Sequence, residues 1–197
     1  MPKIVDHNEV RVALAEAYGR VVGAKGFGAA TMRAVAREAG CSHSLPLHYF
    51  ENGNALMTFA FEHQANKLAD AIAKIASADE PIRTRLCNAI IFLIGNANGH
   101  SAAWRNAIDV MVKAERGSRI ADIDRRTYLA VFETLQGLFV ELNRQEGVDI
   151  EPKAEAALVL TSADGLALAS VTLRDEVQSI ALALRTRLLS GYGLESE

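Results

Sequence analysis

The sequence predicts an all-α protein of about nine helices. Alanine is frequent, whereas runs of β-branched residues, which favour strands, are few. Apolar side chains recur at helical spacing in most segments, and glycine or proline separates those segments. Of the 197 residues 50% are hydrophobic and 23% are charged, so the chain can bury a sizeable core. The longest apolar run, Ala89 to Ile94, is far too short to span a membrane.

The helix boundaries follow from capping residues and from breaks in the apolar spacing. Gly26 is expected to close the first helix, because glycine is favoured just past a helix C-terminus. The fourth helix, at about 1.5 Å per residue, is long enough to connect two bodies. Glu151 and Pro152 open the eighth helix. In order, the nine predicted helices span about residues 8–25, 31–39, 42–49, 54–76, 81–95, 101–114, 119–146, 151–173 and 175–190.

Two domains are predicted, an N-terminal one of residues 1–53 and a larger C-terminal one of residues 54–197, with the fourth helix as connector. Residues 1–53 hold six basic and five acidic side chains, a net charge of +1, within an overall net charge of −3. This modest asymmetry favours a small N-terminal contact with phosphate over an extended basic surface.

The most informative stretch is residues 31–50, which predicts two short helices joined by a tight turn. Thr31 is a favourable N-cap, and four apolar residues of the first short helix form one stripe. Gly40 then supplies the positive φ that a tight turn needs. Ser42 is predicted as a second N-cap. A cap, a glycine turn and a second cap in this order are typical of a helix-turn-helix.

The side chains that these two helices are expected to turn outward are donors and aromatics, with Glu38 as the one acid. Short polar side chains at the start of a helix can meet base edges in the major groove, and flanking cations or hydroxyls can meet phosphates. A helical hairpin with a wet outer face and no nucleic-acid partner is the alternative. The outward set is Arg33, Arg37, His43, Ser44, His48 and Tyr49.

Residues 8–62 resemble the DNA-binding domain of the TetR family of one-component transcription regulators. The ending of the motif is close to that of the family's BetI-like subgroup. The resemblance covers about a quarter of the chain, and the rest is similar to the family only in helical layout. The residues that carry it are Lys25-Gly26-Phe27, Thr31-Met32-Arg33, Ala36, Ala39-Gly40, Ser42, His48-Tyr49-Phe50 and Leu56.

This resemblance implies that the second and third helices supply the DNA contacts. Arg33 and the third helix lie where the family meets DNA, and Thr31 and Tyr49 lie where it holds phosphates. A solvated surface position is the competing interpretation for Arg33, and a core position is the one for Leu47. The DNA-binding residues implied are Thr31, Arg33, Ser42, His43, Ser44, Leu45, Leu47, His48 and Tyr49.

Three positions depart from the family pattern. The family usually has glycine, a large apolar residue and lysine where this chain has Ser44, Pro46 and Gly53. Pro46 removes one helical hydrogen bond and disfavours helix at the residue before it, so a distorted first turn is expected in the third helix. Gly53 removes a cation near phosphate. We expect DNA binding to survive with a different base preference and a smaller phosphate contribution.

The last two predicted helices are expected to form a homodimer interface. The ninth places apolar residues, among them Ala181, Leu184 and Leu188, on one face, and small residues in the eighth allow a close approach. In the TetR family these helices form a four-helix bundle with a second subunit. The resemblance therefore implies a dimer on a palindromic operator, with half-sites about 34–36 Å apart or a multiple of it. Packing within the chain alone is the alternative.

A pocket for an unknown small-molecule effector is expected among the fifth to eighth helices. A ligand can shift the separation of two DNA-binding domains only through its differential affinity for the two states. Apolar walls with a few polar groups are typical of such pockets, although aromatics at helical spacing also suit plain core packing. The predicted wall consists of Phe92, Trp104, Ile108, Met111, Tyr128, Phe132, Phe139 and Asp164.

Together these features predict a ligand-responsive, sequence-specific DNA-binding repressor that a small molecule releases from its operator. The alternative is a helical ligand-binding or interaction module with weakened DNA binding. An enzyme is not predicted, since the sequence has no glycine-rich phosphate loop, GxSxG, HExxH or CxxC pattern. No metal or cofactor is predicted either.

The two cysteines, Cys41 and Cys87, fall in different predicted elements, which favours unpaired, reduced thiols over a redox sensor. The first ten residues lack the apolar segment of a secretory signal. A cytoplasmic location is therefore expected.

Overall fold

A computed structural model describes residues 6–95, 117–173 and 175–194 of the chain. Within these ranges the protein contains eight α-helices, one short 3-10 turn and no strand, which confirms the predicted all-α class. The sixth predicted helix, residues 101–114, lies outside the described residues. The α-helices are α1 (His7–Lys25), α2 (Met32–Glu38), α3 (Leu45–Tyr49), α4 (Gly53–Ala76), α5 (Ile82–Gly95), α6 (Arg119–Glu146), α7 (Pro152–Thr172) and α8 (Val177–Gly191).

Residues just outside the helices fix several of the helix ends. The Asp6 carboxylate accepts a hydrogen bond from the backbone N–H of Asn8 (2.8 Å) at the start of α1. The Asn52 side chain accepts one from the backbone N–H of Ala55 (2.9 Å) at the start of α4. Gly26 ends α1, as predicted, with a φ of 80°. These contacts satisfy backbone groups that a helix terminus leaves free.

Two hydrophobic cores share α4 between them. The N-terminal core contains Leu14, Val35 and Leu56, from α1, α2 and the beginning of α4. The C-terminal core contains Ile72, near the end of α4, together with residues of α5 to α8 such as Leu135. α4 thus contributes side chains to both cores.

Ion pairs fix the middle of α4 to the helices on either side. Lys67 lies 3.4 Å from the Glu16 carboxylate of α1. Glu62 accepts a hydrogen bond from the guanidinium of Arg119 (2.9 Å) at the start of α6. α4 is thus linked by ion pairs to α1 on one side and to α6 on the other.

Arg85 of α5 joins the end of α4, the turn after it and α6 through four hydrogen bonds. Its guanidinium donates to both oxygens of Glu141 in α6, at 2.5 and 3.1 Å. It also donates to the backbone oxygens of Ala76 (2.7 Å) and Glu80 (2.9 Å), which lie at the end of α4 and in the turn after it. The Arg85 side chain is only 12% exposed, so three segments meet at one nearly buried cation.

The apolar face predicted to pair the last helix with a second subunit packs instead within the chain. Val177, Ala181 and Leu188 of α8 are buried in the C-terminal core, and Leu184 packs against it. Sequence spacing identified the stripe but not its partner, because any helix of a domain needs one face for its own core. An interface on this helix has to use its opposite face.

In the part of the chain that the structure describes, no helix has both the length and the apolar content needed to cross a membrane.

Candidate nucleic-acid interface

The first half of the predicted helix-turn-helix is confirmed. Thr31 is the N-cap of α2, and its hydroxyl accepts a hydrogen bond from the backbone N–H of Ala34 (3.2 Å). Gly40 follows α2 with a φ of 66°, where a Cβ would introduce backbone strain. The chain then turns back, and the N–H of Cys41 donates to the carbonyl of Ala36 (2.9 Å).

The third helix is shorter than predicted, and Ser42 does not cap it. α3 begins at Leu45, and residues 42–44 form a turn in which the N–H of Leu45 donates to the carbonyl of Ser42 (3.1 Å). The hydroxyls of Ser42 and Ser44 lie 3.2 Å apart. Pro46 sets this start, because proline is tolerated only in the first helical turn, where its missing N–H is not needed. Pro46 therefore shifts the start of the helix, in place of the expected distortion inside a helix that begins at Ser42.

Exposure separates the predicted DNA-binding residues into an outward set and two half-buried ones. Leu45 and Tyr49 are half-buried, whereas Pro46 between them is buried. Leu47 is 60% exposed. The alternative interpretation, that Leu47 belongs to the core, is therefore excluded. The outward residues are Thr31, Arg33, Ser42, His43, Ser44, Leu47 and His48.

The charge of this surface is more positive than its composition indicates. Glu38, the one acid of α2, is paired with Arg20 of α1, whose Nε donates to its carboxylate (2.8 Å). Among the described residues neither Arg33 nor Arg37 has an ion-pair partner, and both are exposed. Two exposed cations without an ion-pair partner thus lie on α2, the helix that precedes α3, and such groups are suited to phosphate contacts.

Tyr49 is held at the edge of the surface by two histidines. Its hydroxyl lies 3.2 Å from Nδ1 of His7, and the two ring centroids are 5.6 Å apart. The ring of His48 meets that of Tyr49 edge to face at 5.3 Å. His7 is a residue that sequence reasoning missed, since residues 1–7 carry no apolar pattern. The Asp6 cap was the available signal that α1 begins early enough to place it there.

Arg11 of α1 packs against Phe50, the residue that follows α3, and stabilises the end of that helix. Its guanidinium carbon lies 5.1 Å from the ring centroid of Phe50 and 4.5 Å from that of Phe59 in α4. Its Nε is buried and has no hydrogen-bond partner among the described residues. A cation placed against two aromatic rings is attracted by their π faces. Arg11, counted with the basic side chains in the sequence, therefore faces inward.

The structure brings together only part of the predicted effector pocket. Asp164 of α7 lies near Asp124 of α6, and burial together with the Asp124 charge raises the pKa of Asp164 to about 6. Burial and the same two carboxylates raise the pKa of Tyr128, which is a third member of this group. Asp124 was missed, because nothing local marks one acid of α6 as half-buried.

Of the other predicted wall residues, three lie apart from this group and three lie outside the described residues. Phe139 is fully buried in the C-terminal core, 5.1 Å from the Tyr192 ring, and about 16 Å along α6 from Tyr128. Phe92 and Phe132 are half-buried and pack against the same core. The remaining three, Trp104, Ile108 and Met111, lie outside the described residues.

Two curated proteins are similar to this chain in sequence. The HTH-type transcriptional regulator PksA of Bacillus subtilis is 39% identical over 79 residues, which is 40% of this chain and 38% of that protein. The HTH-type transcriptional regulator BetI of Rhizobium meliloti is 38% identical over 82 residues, 41% of this chain and 40% of that protein. The chain thus matches about two fifths of the length of each relative. No family model matches the chain.

Solved structures share the fold over nearly the whole chain. A TetR transcription regulator from Haloarcula marismortui superposes with a TM-score of 0.78 at 18% identity, covering 94% of this chain and 96% of that one. The regulator FadR from Bacillus subtilis, solved in complex with stearoyl-CoA, has a TM-score of 0.66 at 11% identity, covering 91% and 97%. The similarity in sequence is thus to HTH-type transcriptional regulators, and the similarity in structure includes a TetR regulator with the same fold, which agrees with the resemblance found in residues 8–62.

Proposed function

We propose that this protein is a sequence-specific DNA-binding transcription regulator, and that it acts as a homodimeric repressor released by a small molecule. The single observation that carries the proposal is the surface of α2 and α3. There, exposed donors lie at the start of a short helix, the preceding helix carries two arginines without ion-pair partners, and its one acid, Glu38, is paired with Arg20. A helix presented this way suits the major groove of duplex DNA.

Within this proposal the side chains divide into two roles. Arg33, His43, Ser44 and His48 are exposed donors at the turn and on α3, where base edges would be met. Tyr49 is half-buried and fixed by His7, so its hydroxyl suits a phosphate oxygen, which gives position but not sequence information. Thr31 already caps α2 with its hydroxyl oxygen, which leaves its O–H free to donate to a phosphate.

Arg33→Ala and His48→Ala are expected to abolish selective DNA binding and to leave folding and assembly unchanged. Each removes an exposed donor, and losing one good base contact costs roughly 1–3 kcal/mol of discrimination. Lys74→Ala is the matched control. It also removes an exposed cation, but one that lies about 31 Å along α4 from the start of that helix. Gel-shift titrations against the DNA upstream of the gene, with excess non-specific duplex, measure the effect. Wild-type binding by either variant would place the interface elsewhere.

The dimer is proposed to form on an uncharged face of the last two helices. After Lys153, at the start of α7, the exposed residues of this helix fall at helical spacing and carry no charge. Leu168 is 60% exposed on this stripe, and Leu182 is 55% exposed on α8. Large exposed aliphatics on uncharged surface are typical of interaction sites. The α7 stripe consists of Ala154, Leu158, Thr161, Gly165, Leu168 and Thr172.

The effector is proposed to bind in the C-terminal domain near Asp124, Tyr128 and Asp164. These groups lie on α6 and α7, and the Arg119–Glu62 pair joins α6 to α4. FadR of Bacillus subtilis, which shares the fold, was solved with stearoyl-CoA, so this architecture can hold a ligand in at least that protein. A ligand that favoured one position of α6 would act on the DNA-binding domain through α4.

One observation favours the second candidate, a helical module that binds ligand but little DNA. α3 contains only five residues, because Pro46 sets its start. The same gel shift separates the two candidates. Absence of a selective complex even at low salt, where phosphate contacts are strongest, would support the second.

A further inference from the structure

Leu47 is an isolated apolar residue on an otherwise polar surface. It is 60% exposed, as much as any large hydrophobic side chain among the described residues. The other exposed aliphatics all lie in α6 to α8 and in the segments between them. Around Leu47 the exposed side chains are those of His43, Ser44 and His48. The feature to be explained is therefore one apolar group in the middle of the proposed DNA contact surface.

The backbone fixes Leu47 outward and does not leave it free to turn into the core. The N–H of His48 donates to the carbonyl of Ser44 (3.1 Å), and that of Phe50 donates to the carbonyl of Pro46 (2.9 Å), so this segment is held in a helical turn. On that turn Pro46 and Phe50 face inward and are buried. The inward positions are thus occupied, and Leu47 projects on the opposite side.

A protein partner is a poor match for this surface. Specific protein interfaces bury about 800 Å² on each side around an apolar centre, whereas Leu47 is a single side chain among donors. Two unpaired arginines, Arg33 and Arg37, lie on the adjoining helix. A surface with one methyl-bearing group, several donors and cationic flanks instead matches the major groove. There the one apolar group on the base edges is the 5-methyl group of thymine.

We propose that Leu47 contacts the 5-methyl group of a thymine in each operator half-site, and so requires thymine at that position. This inference rests on the proposed function. The neighbouring donors Ser44 and His48 would bind the adjacent base edges, so the leucine adds preference for one base at one position and leaves the phosphate contacts unchanged.

Uracil replacement tests this contact, because deoxyuridine pairs like thymidine and lacks only the methyl group. An operator obtained by selection from random duplexes is synthesised with uracil at each thymine in turn. For the wild-type protein, replacing one particular thymine of a half-site by uracil should weaken binding about fourfold, as expected for the loss of one buried methyl group. Uracil outside the half-sites is the matched DNA control and should have no effect.

The Leu47→Ala variant identifies the residue responsible. Its affinity for the thymine operator should fall, and its affinity should no longer change when that one thymine becomes uracil. Because Leu47 is exposed, the melting temperature should stay at the wild-type value, so a folding defect is distinguished from a lost contact. Leu47→Met keeps an apolar side chain and should retain the uracil effect.

The outcomes separate this inference from the function on which it rests. Selective binding with no thymine sensitive to uracil, or an equal uracil effect in wild type and Leu47→Ala, would overturn the contact and leave the proposed function standing. Failure of selection to yield any preferred duplex would overturn both.

Discussion

Leu168→Glu is expected to convert the dimer into monomers at micromolar concentration. Leu168 is 60% exposed within one chain and lies on the uncharged α7 stripe, one turn before its end. In a symmetric dimer each substitution occurs twice, so two buried leucines are lost and two carboxylates are brought into an apolar interface. Lost burial alone amounts to roughly 3 kcal/mol, and the dissociation constant should rise at least about a hundredfold.

The Thr161 hydroxyl, in the middle of the stripe, is compatible with a covered face. Thr161 donates to the carbonyl of Ala157 (2.7 Å) within its own helix, so its polar group needs no water when the face is covered. Gly165 has no side chain, and nothing lies within 4 Å of where a Cβ would be placed. Between the two leucines, Leu158 and Leu168, the stripe is thus open to the close approach of a second helix.

Val140→Glu is the control for Leu168→Glu. Val140 is 49% exposed on α6, away from the stripe, so the same charge is introduced on a different face. Sedimentation equilibrium should show a dimer for this variant and a monomer for Leu168→Glu, with equal helical content by circular dichroism. A Leu168→Glu protein that remains dimeric would move the interface off α7. Leu184→Glu, which sequence alone would select, is unsuitable because Leu184 packs against the core.

Arg85→Met is expected to lower the free energy of unfolding by about 2–4 kcal/mol. The variant keeps much of the aliphatic volume but removes all four hydrogen bonds to Glu141, Ala76 and Glu80. In the variant, the Glu141 carboxylate and two backbone carbonyls lose their donor in a mostly buried site. Leaving buried acceptors unsatisfied costs more free energy than the hydrogen bonds themselves contribute to stability.

Arg83→Met, two residues away, is the matched control. Arg83 also pairs with a glutamate of α6, Glu146, and donates to the carbonyl of Gly193, but its side chain is 44% exposed. Exposed pairs contribute little, so this variant should lose less than about 1 kcal/mol. Urea unfolding followed by circular dichroism compares the two. Equal losses would contradict the role given to Arg85.

Acidification provides a second test of the Arg85 pair. The hydrogen bonds from Arg85 lower the pKa of Glu141 below its usual value of 4.5. A carboxylate whose folded-state pKa is lowered stabilises the fold above its unfolded pKa, and that stabilisation is lost as the pH falls through the folded-state value. The difference in the free energy of unfolding between wild type and Arg85→Met should therefore become smaller below pH 4.5.

Local signals in the sequence predicted the parts of the fold that depend on neighbouring residues. Thr31, Gly26 and Gly40 identified helix ends because a cap or a positive φ is decided within a few residues. Ser42 failed as a cap for an equally local reason. Pro46 was taken as a distortion inside a longer helix, whereas it determines where the helix begins.

Contacts between distant segments could not be predicted this way. Arg85 and Glu141 are 56 residues apart, and no pattern in either helix indicates the other. The inward position of Arg11 has the same origin, since it depends on the rings of Phe50 and Phe59. The apolar face of α8 was predicted correctly from its spacing. Spacing alone, however, does not show whether a helix face packs within the chain or against a second copy.

Selection of binding sites from random duplexes by the purified wild-type chain measures whether α2 and α3 recognise DNA. We expect enrichment of one palindromic sequence, with half-site centres about 34–36 Å apart or a multiple of that distance. We also expect that Arg33→Ala, carried through the same rounds, enriches nothing. A wild-type pool that stays random, or an Arg33→Ala pool that converges on the same palindrome, would contradict the claim that α2 and α3 recognise DNA.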